Sequence, residues 1–200
     1  MPNWCTNYMT VQGQKEDVQA FAKAVVDVEE RDNELHNIPA SIFDKLLPMP
    51  ENGSKSMTNA EGEVIGSAFA DPERDGEEYI DGWRWTVQNW GTKWGDCDTT
   101  FSNHGDSLEF FYQTAWSPAT YTEISKMFPN LTFIIRYEEG GMCFLGCDVY
   151  QNGSISEYEG TYPEMTEGDY DDEDWEAHDL AIEDALTKCY QQAQDDLVSA

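Results

Sequence analysis

The sequence predicts an α+β protein built on an antiparallel sheet, and three observations carry that prediction. Short runs of two-residue alternation, beginning with Asn7, Met9 and Val11, are separated by segments of helical period. Asn152-Gly153 stands between two strand-like runs, the strongest hairpin signal in the chain. The order of elements in the middle of the chain fits a split β-α-β, β-α-β arrangement, with helices mostly on one face of the sheet. At 200 residues and 22.8 kDa the chain is sized for one domain, or one domain with an extension.

The first strand covers Thr6 to Val11 and ends at Gly13. A helix opens at Gln14 to Asp17, with Val18, Phe21, Ala22, Val25 and Val28 on one face, and fades in a polar connection from Glu29 to Glu34. Phe43, Leu46 and Leu47 precede Pro48-Met49-Pro50, which stops any helix there. Residues 51–78, rich in Gly, Ser, Asn, Asp and Glu, predict a long loop with at most a short strand at Val64-Ile65. Tyr79 to Trp90 predicts a short helix, and a strand is expected near Asp96 to Phe101. Leu108 to Ala115 is a strand, after which Ser117-Pro118 predicts the cap and first turn of a helix reaching Phe128. Leu131 to Tyr137, Met142 to Tyr150 and Ser154 to Tyr158 complete the strands.

Charge divides the chain unevenly. There are 40 acidic and 11 basic residues, net −29. Residues 157–200 alone hold 15 acidic residues against Lys188, net −14, leaving −15 for residues 1–156. Eleven carboxylates with no Lys or Arg fall between Glu164 and Asp184: Glu164, Glu167, Asp169, Asp171, Asp172, Glu173, Asp174, Glu176, Asp179, Glu183 and Asp184. A disordered solubilising tail is the plain alternative. Against it, Trp175, Ile182, Leu186, Cys189 or Tyr190, Ala193 and Leu197 recur at spacings of three, four and seven, predicting a docked helix from about Asp172 to Gln194. His178 falls on the same side, as a packed or capping residue rather than a ligand. The expected division is a core over 1–156 with an excursion at about 51–95, and an acidic extension over 157–200.

Five runs carry a resemblance: Met1-Pro2-Asn3-Trp4-Cys5 leading to Asn7, Met9, Val11 and Gly13; Leu47-Pro48-Met49-Pro50; Trp90-Gly91-Thr92-Lys93-Trp94; Thr114-Ala115-Trp116-Ser117-Pro118; and Tyr137-Glu138-Glu139-Gly140-Gly141-Met142-Cys143-Phe144 with Gly146. In this order they span residues 1 to about 150, and the chain resembles the YubB-like ferredoxin-like domain family of phages and plasmids. The resemblance implies a ferredoxin-like antiparallel sheet, to which the sequence adds a hairpin and an acidic C-terminal helix. It implies a mobile-element origin and brings no catalytic residues. The acidic helix beyond residue 157 lies outside it.

Chemistry is sparsely signalled. The odd number of cysteines, five, with no dense spacing, reads as free thiols in a reducing compartment. Cys143 and Cys147, four apart on a strand, would stand about 13 Å from each other, too far to share zinc. Asp169, Asp171 and Asp172 do not continue into a calcium loop, because the sixth and twelfth positions are Asp174 and Leu180. No metal and no cofactor is expected. Asp96, Asp98, His104 and Asp106 form the best candidate for carboxylate–histidine acid/base chemistry in a small-molecule enzyme. Trp90, Trp94 and Trp116 are core anchors or, alternatively, an aromatic patch for a protein partner.

These features favour an acidic binder over an enzyme. Phosphate binding needs basic residues, and the negative charge excludes nucleic acid and anionic membranes as direct partners. The expected partner is a basic, nucleic-acid-binding host protein, of the defence, restriction, recombination or CRISPR machinery, blocked by nucleic-acid mimicry in the host cytoplasm. A non-catalytic structural or regulatory accessory domain is the alternative.

Overall fold

The computed structural model of the chain describes residues 3–31, 34–39, 41–164 and 172–199. Strand β1 (Trp4–Gln12) buries Cys5, Asn7, Met9 and Val11 on one face and leaves Trp4 and Tyr8 exposed on the other. Helix α1 (Lys15–Val25) follows, burying Val18, Phe21, Ala22 and Val25. It ends where Val26 turns extended, and β2 (Val26–Arg31) pairs with β3 (Glu34–Pro39). The expected helix face through Val28 and the polar connection of 29–34 are thus replaced by a hairpin. Val25, Val26 and Val28 continue the helical period, but β-branched residues favour extended backbone.

Helix α2 (Ile42–Leu46) leads to a 3-10 turn at Glu51–Gly53 and then to a second hairpin, β4 (Ser54–Thr58) with β5 (Val64–Phe69). The loop expected over 51–78 is therefore largely ordered. Its turn is closed by the Asn59 side chain, whose Oδ1 accepts from the backbone N–H groups of Glu61 and Glu63. Helix α3 (Pro72–Asp75) ties this arm down: Asp75 takes hydrogen bonds from Arg74 and Lys55, which hold its carboxyl well below the usual range. Helix α4 (Gly82–Trp90) is capped by Asp81 and ends at Gly91, whose φ of 76° needs glycine.

The remaining strands are β6 (Cys97–Asn103), β7 (Ser107–Ala115), β8 (Thr132–Glu139), β9 (Phe144–Gln151) and β10 (Ser154–Gly160), with α5 (Thr122–Met127) between β7 and β8. The turn from β9 to β10 has φ of 46° and 82° at Asn152 and Gly153, the left-handed pair that such a hairpin requires. Ser117 does not cap a helix. Its hydroxyl donates to Gly91 O, and its own carbonyl accepts from Thr114 Oγ1, so α5 starts later, after Tyr121.

One six-stranded sheet results, in the order β10-β9-β8-β1-β7-β6, with every neighbouring pair antiparallel. Numbering β1, β6, β7 and β8 as one to four gives the ferredoxin-like order 4-1-3-2, and β9 and β10 extend its edge. The principal core lies on one face, where α1, α2 and α5 pack Phe21, Ile42, Phe43 and Ile124 against Met9, Leu108, Phe110, Tyr112, Phe133 and Ile135. Helix α6 (Asp172–Ser199) covers the other face of β8, β9 and β10 with Ile182, Leu186, Cys189 and Ala193. It runs past the expected end at Gln194. Trp175, expected on the packed stripe, is 51% exposed; the buried stripe stops at Ile182, a heptad later in the chain. Gly160 lets the helix approach, since a Cβ there would meet Leu145 Cδ1 and Cys189 Sγ.

Two buried carboxylates generate testable consequences. Asp96 is 7% exposed and accepts from the N–H groups of Ile42 and Phe43 and the hydroxyls of Ser41 and Thr99, joining α2 to the start of β6. Asp96→Ala leaves those donors without their acceptor and should lower the unfolding free energy by about 3 kcal/mol in denaturant titration, with Asp96→Asn costing roughly half as much. Asp148 is 5% exposed and accepts from Tyr137 Oη at 3.3 Å and Tyr150 Oη at 3.2 Å. Burial pushes its carboxyl up to about 6; the Tyr150 hydroxyl opposes this, and the nearby Glu157 adds to it. A carboxyl raised on folding favours the folded state most below its ordinary value and loses that contribution as pH rises through about 6. Wild type minus Asp148→Asn should therefore lose about 2 kcal/mol of stability between pH ~4 and ~7, read from melting curves across that range.

Candidate functional site

Opposite the principal core, the sheet surface divides in two. α6 sits over β8, β9 and β10, and among the described residues no helix lies over β1, β7 and β6 on that side. The alternation of β1 and β7 decides what is shown there. Their inward residues fill the core, so the outward ones are Trp4, Thr6, Tyr8 and Thr10 on β1, facing Ala115, Gln113, Phe111 and Glu109 on β7. Trp4 and Tyr8 are each 38% exposed, and the Tyr8 and Phe111 rings meet at 5.2 Å. At one end Trp4 lies 5.7 Å from Trp94, over which Lys93 Nζ sits at 4.6 Å.

Where α6 borders β1, a groove of about 510 Å³ is lined by Tyr8, Arg136, Glu138, Asp179, Ile182, Glu183, Leu186 and Thr187. Asp179, Glu183 and Thr187 succeed one another at one-turn spacing along the helix, about 6 Å per step. Arg136 spans the gap between the helix and the sheet. Its guanidinium carbon lies 5.0 Å from the Tyr190 ring and 5.6 Å from the Tyr8 ring, and its Nε is buried without a hydrogen-bond partner. Glu138 is pushed up by burial first, then by the negative charges of Asp179 and Glu139, with His178 opposing. A carboxyl shifted in that direction gains from a cation brought near it.

The acidic run is partly placed by this geometry. Glu164, Asp174, Glu176, Asp179, Glu183 and Asp184 are exposed, and Asp172 and Glu173 begin α6. Glu167, Asp169 and Asp171 lie outside the described residues. Asp179 and Glu183 border the groove, while Asp184 is ion-paired with Lys188 one turn on. His178 Nε2 lies 3.2 Å from Pro163 O and its ring packs 5.8 Å from Tyr162, pinning the start of α6. Of the tryptophans, Trp90 is 6% exposed, donates from Nε1 to Leu47 O and belongs to the core, which removes it from any contact surface. Trp94 and Trp116 are half-buried.

The acid/base set does not assemble. Asp96 precedes β6 and is occupied by α2, whereas His104 and Asp106 lie in the turn beyond the other end of that strand, where His104 pairs with Glu109. Seven strand residues separate the two ends, about 20 Å. Cys143 lies in a turn at φ 56° and is exposed, whereas Cys147 is buried in β9, so the two do not share a strand face.

Sheet order and helix placement thus define a ferredoxin-like α+β protein with an added hairpin and C-terminal helix. Residues 89–183, a little under half of the chain, match the family described as the ferredoxin-like domain in Api92-like protein. The match runs beyond residue 157 into α6, so the first part of the acidic helix falls within the matched segment rather than outside it; β1 and α1 precede the matched residues. Among solved structures, the chain is similar to the crystal structure of a protein api92 from Yersinia pseudotuberculosis, at 12% identity and TM-score 0.45, covering 84% of this chain and 100% of that one. No curated protein matches the chain. Among the described residues no helix is long and apolar enough to cross a membrane.

The double ring contact of Arg136 is what fixes the groove wall. Arg136→Met keeps the stem and removes the cation; it should cost about 1–2 kcal/mol and speed amide exchange selectively over residues 182–193 of α6.

Proposed function

We propose that this is a phage or plasmid protein that binds a basic, nucleic-acid-binding host protein and blocks it by offering carboxylates in place of phosphates. The observation that supports this most is the meeting of Asp179 and Glu183 from α6 with Glu138 from β8 along one groove. Ordered carboxylates repel one another, and a docked helix holds them at fixed spacing at an electrostatic cost that a cationic partner would relieve. One carboxylate per helical turn, about 6 Å, is coarser than the 3.4 Å phosphate rise of a single DNA strand. Glu138, on the sheet side, supplies charge that the helix alone lacks. Host machinery for defence, restriction, recombination or CRISPR immunity contains such basic surfaces.

The test is capture and competition. Immobilised full-length protein should retain nucleic-acid-binding proteins from a host lysate at low salt and release them to duplex DNA or to raised salt. The double variant Asp179→Lys, Glu183→Lys should reduce retention about tenfold, equivalent to roughly 1.4 kcal/mol. Retained proteins that do not bind nucleic acid, or that duplex DNA fails to displace, would rule the mimicry out.

A further inference from the structure

We infer that the open sheet face over β1 and β7 is a trough that receives an amphipathic helix of the target, its apolar side on Tyr8 and Phe111 and its lysines or arginines toward Asp179 and Glu183. This inference rests on the reading of the protein as a binder of basic partners, and adds the element recognised and the surface that recognises it.

The floor is aromatic and incompletely covered. Trp4 and Tyr8 are exposed beyond a third of their surface, Phe111 packs against Tyr8, and Thr6 and Thr10 keep the space beside them low. Aromatic side chains with one face free supply large contact area at small entropic cost. Three strands, β1, β7 and β6, span about 14 Å, close to the 10–12 Å diameter of a helix. The nine residues of β1 or β7 reach about 30 Å, roughly the length of five helical turns. α6 already occupies the neighbouring half of the same face, so a second helix beside it completes the layer.

Backbone chemistry selects a helix over a strand. β1 is hydrogen-bonded on both sides, to β7 and β8, and β7 is bonded to β1 and β6. Neither offers a free edge for strand addition, so a partner must bring its own satisfied backbone and present side chains only. Charge selects the sign. Asp179 and Glu183 wall the trough on the α6 side, Glu138 stands at its margin, and Arg136 on that side is half-buried between Tyr8 and Tyr190, while Lys93 lies at the Trp4 end, over Trp94. Phosphates of a nucleic acid would meet that acidic wall, whereas lysine and arginine stems can lie on Tyr8, Ile182 and Leu186 with their charges against it.

The experiment uses the full chain, isotopically labelled, and two peptides of identical Leu/Lys/Arg composition and about 18 residues. One is an amphipathic helix, and the other is a diastereomer with alternating D-residues that prevents helix formation. At near-physiological salt the helical peptide should bind at least tenfold more tightly than the diastereomer and shift the amides of Thr6–Thr10, Gln113 and Asp179–Thr187. Tyr8→Ala and Glu183→Lys should each weaken it about tenfold, while Asp195→Lys, elsewhere on α6, should stay within about twofold. Thermal melts establish that each variant folds, and Thr10→Trp, which fills the trough without removing a contact, is a second probe expected to block binding. Equal affinity of the two peptides, or shifts away from β1 and β7, overturns the trough and leaves the acidic-binder reading standing. Failure of both peptides to bind even at low salt overturns both. A concentration-dependent dimer that protects Tyr8 assigns the face to a second copy and likewise overturns the inference.

Discussion

The two-residue alternation of β1 is the constraint on which the rest of this molecule depends. One face of the strand gives Cys5, Asn7, Met9 and Val11 to the core beneath α1 and α5, and the other shows Trp4, Thr6, Tyr8 and Thr10. Because β1 is bonded to both β7 and β8, its register ties all three strands together, and a slip of one residue would turn its own core residues out to the surface. Asn7 guards against that slip: it is fully buried and donates to Cys5 O on its own strand and to Thr114 Oγ1 on β7, the second a partner available in one register only.

The same strand separates two kinds of packing. On the α1 side the core is aromatic and continuous, with Phe21 at 5.1–6.1 Å from Phe110, Phe128 and Phe133. On the α6 side it is smaller, resting on Ile182, Leu186, Cys189 and Ala193 against Ile134, Leu145, Cys147 and Val149. Burial of Ile182 and Leu186 contributes about 2 kcal/mol each, enough to dock a helix whose outer surface is crowded with carboxylates. The charge of α6 is therefore held in place by a modest apolar seam and by Arg136 between two tyrosines.

Much of the frame was legible in the sequence, for physical reasons that also explain the misses. β1 and β7 announce themselves because one side of each is buried, β8 because its apolar run is buried on both sides, and the β9–β10 turn because Asn152-Gly153 permits only one kind of turn. The β4–β5 hairpin has nearly every residue exposed, so no alternation marks it. The β2–β3 hairpin hid behind valines that continue the period of α1. At the candidate site the α6 carboxylates were visible as composition. Tyr8, Phe111, Arg136 and Glu138 were not, because they come from three strands and only the pairing register sets them side by side. An alternating strand whose outward positions hold Trp4 and Tyr8 was the one available signal. The Asp96, Asp98, His104 and Asp106 set failed because nearly a whole strand stands between the two aspartates at its start and the pair beyond its end.

The central place of β1 also shapes how the chain reaches its native state. Its partners are made only when Ser107–Glu139 leave the ribosome, so both of its hydrogen-bonding edges stay unsatisfied while the local hairpins of residues 26–69 can already close. Long-range closure of this kind is slow and leaves sticky backbone exposed to other nascent chains. Mutual repulsion among nascent chains opposes that encounter during the wait, because residues 1–106 already hold 20 acidic against 8 basic residues, net −12. The carboxylates thus act as a built-in folding aid, keeping copies of an edge-exposed intermediate apart until the sheet is zipped through its middle.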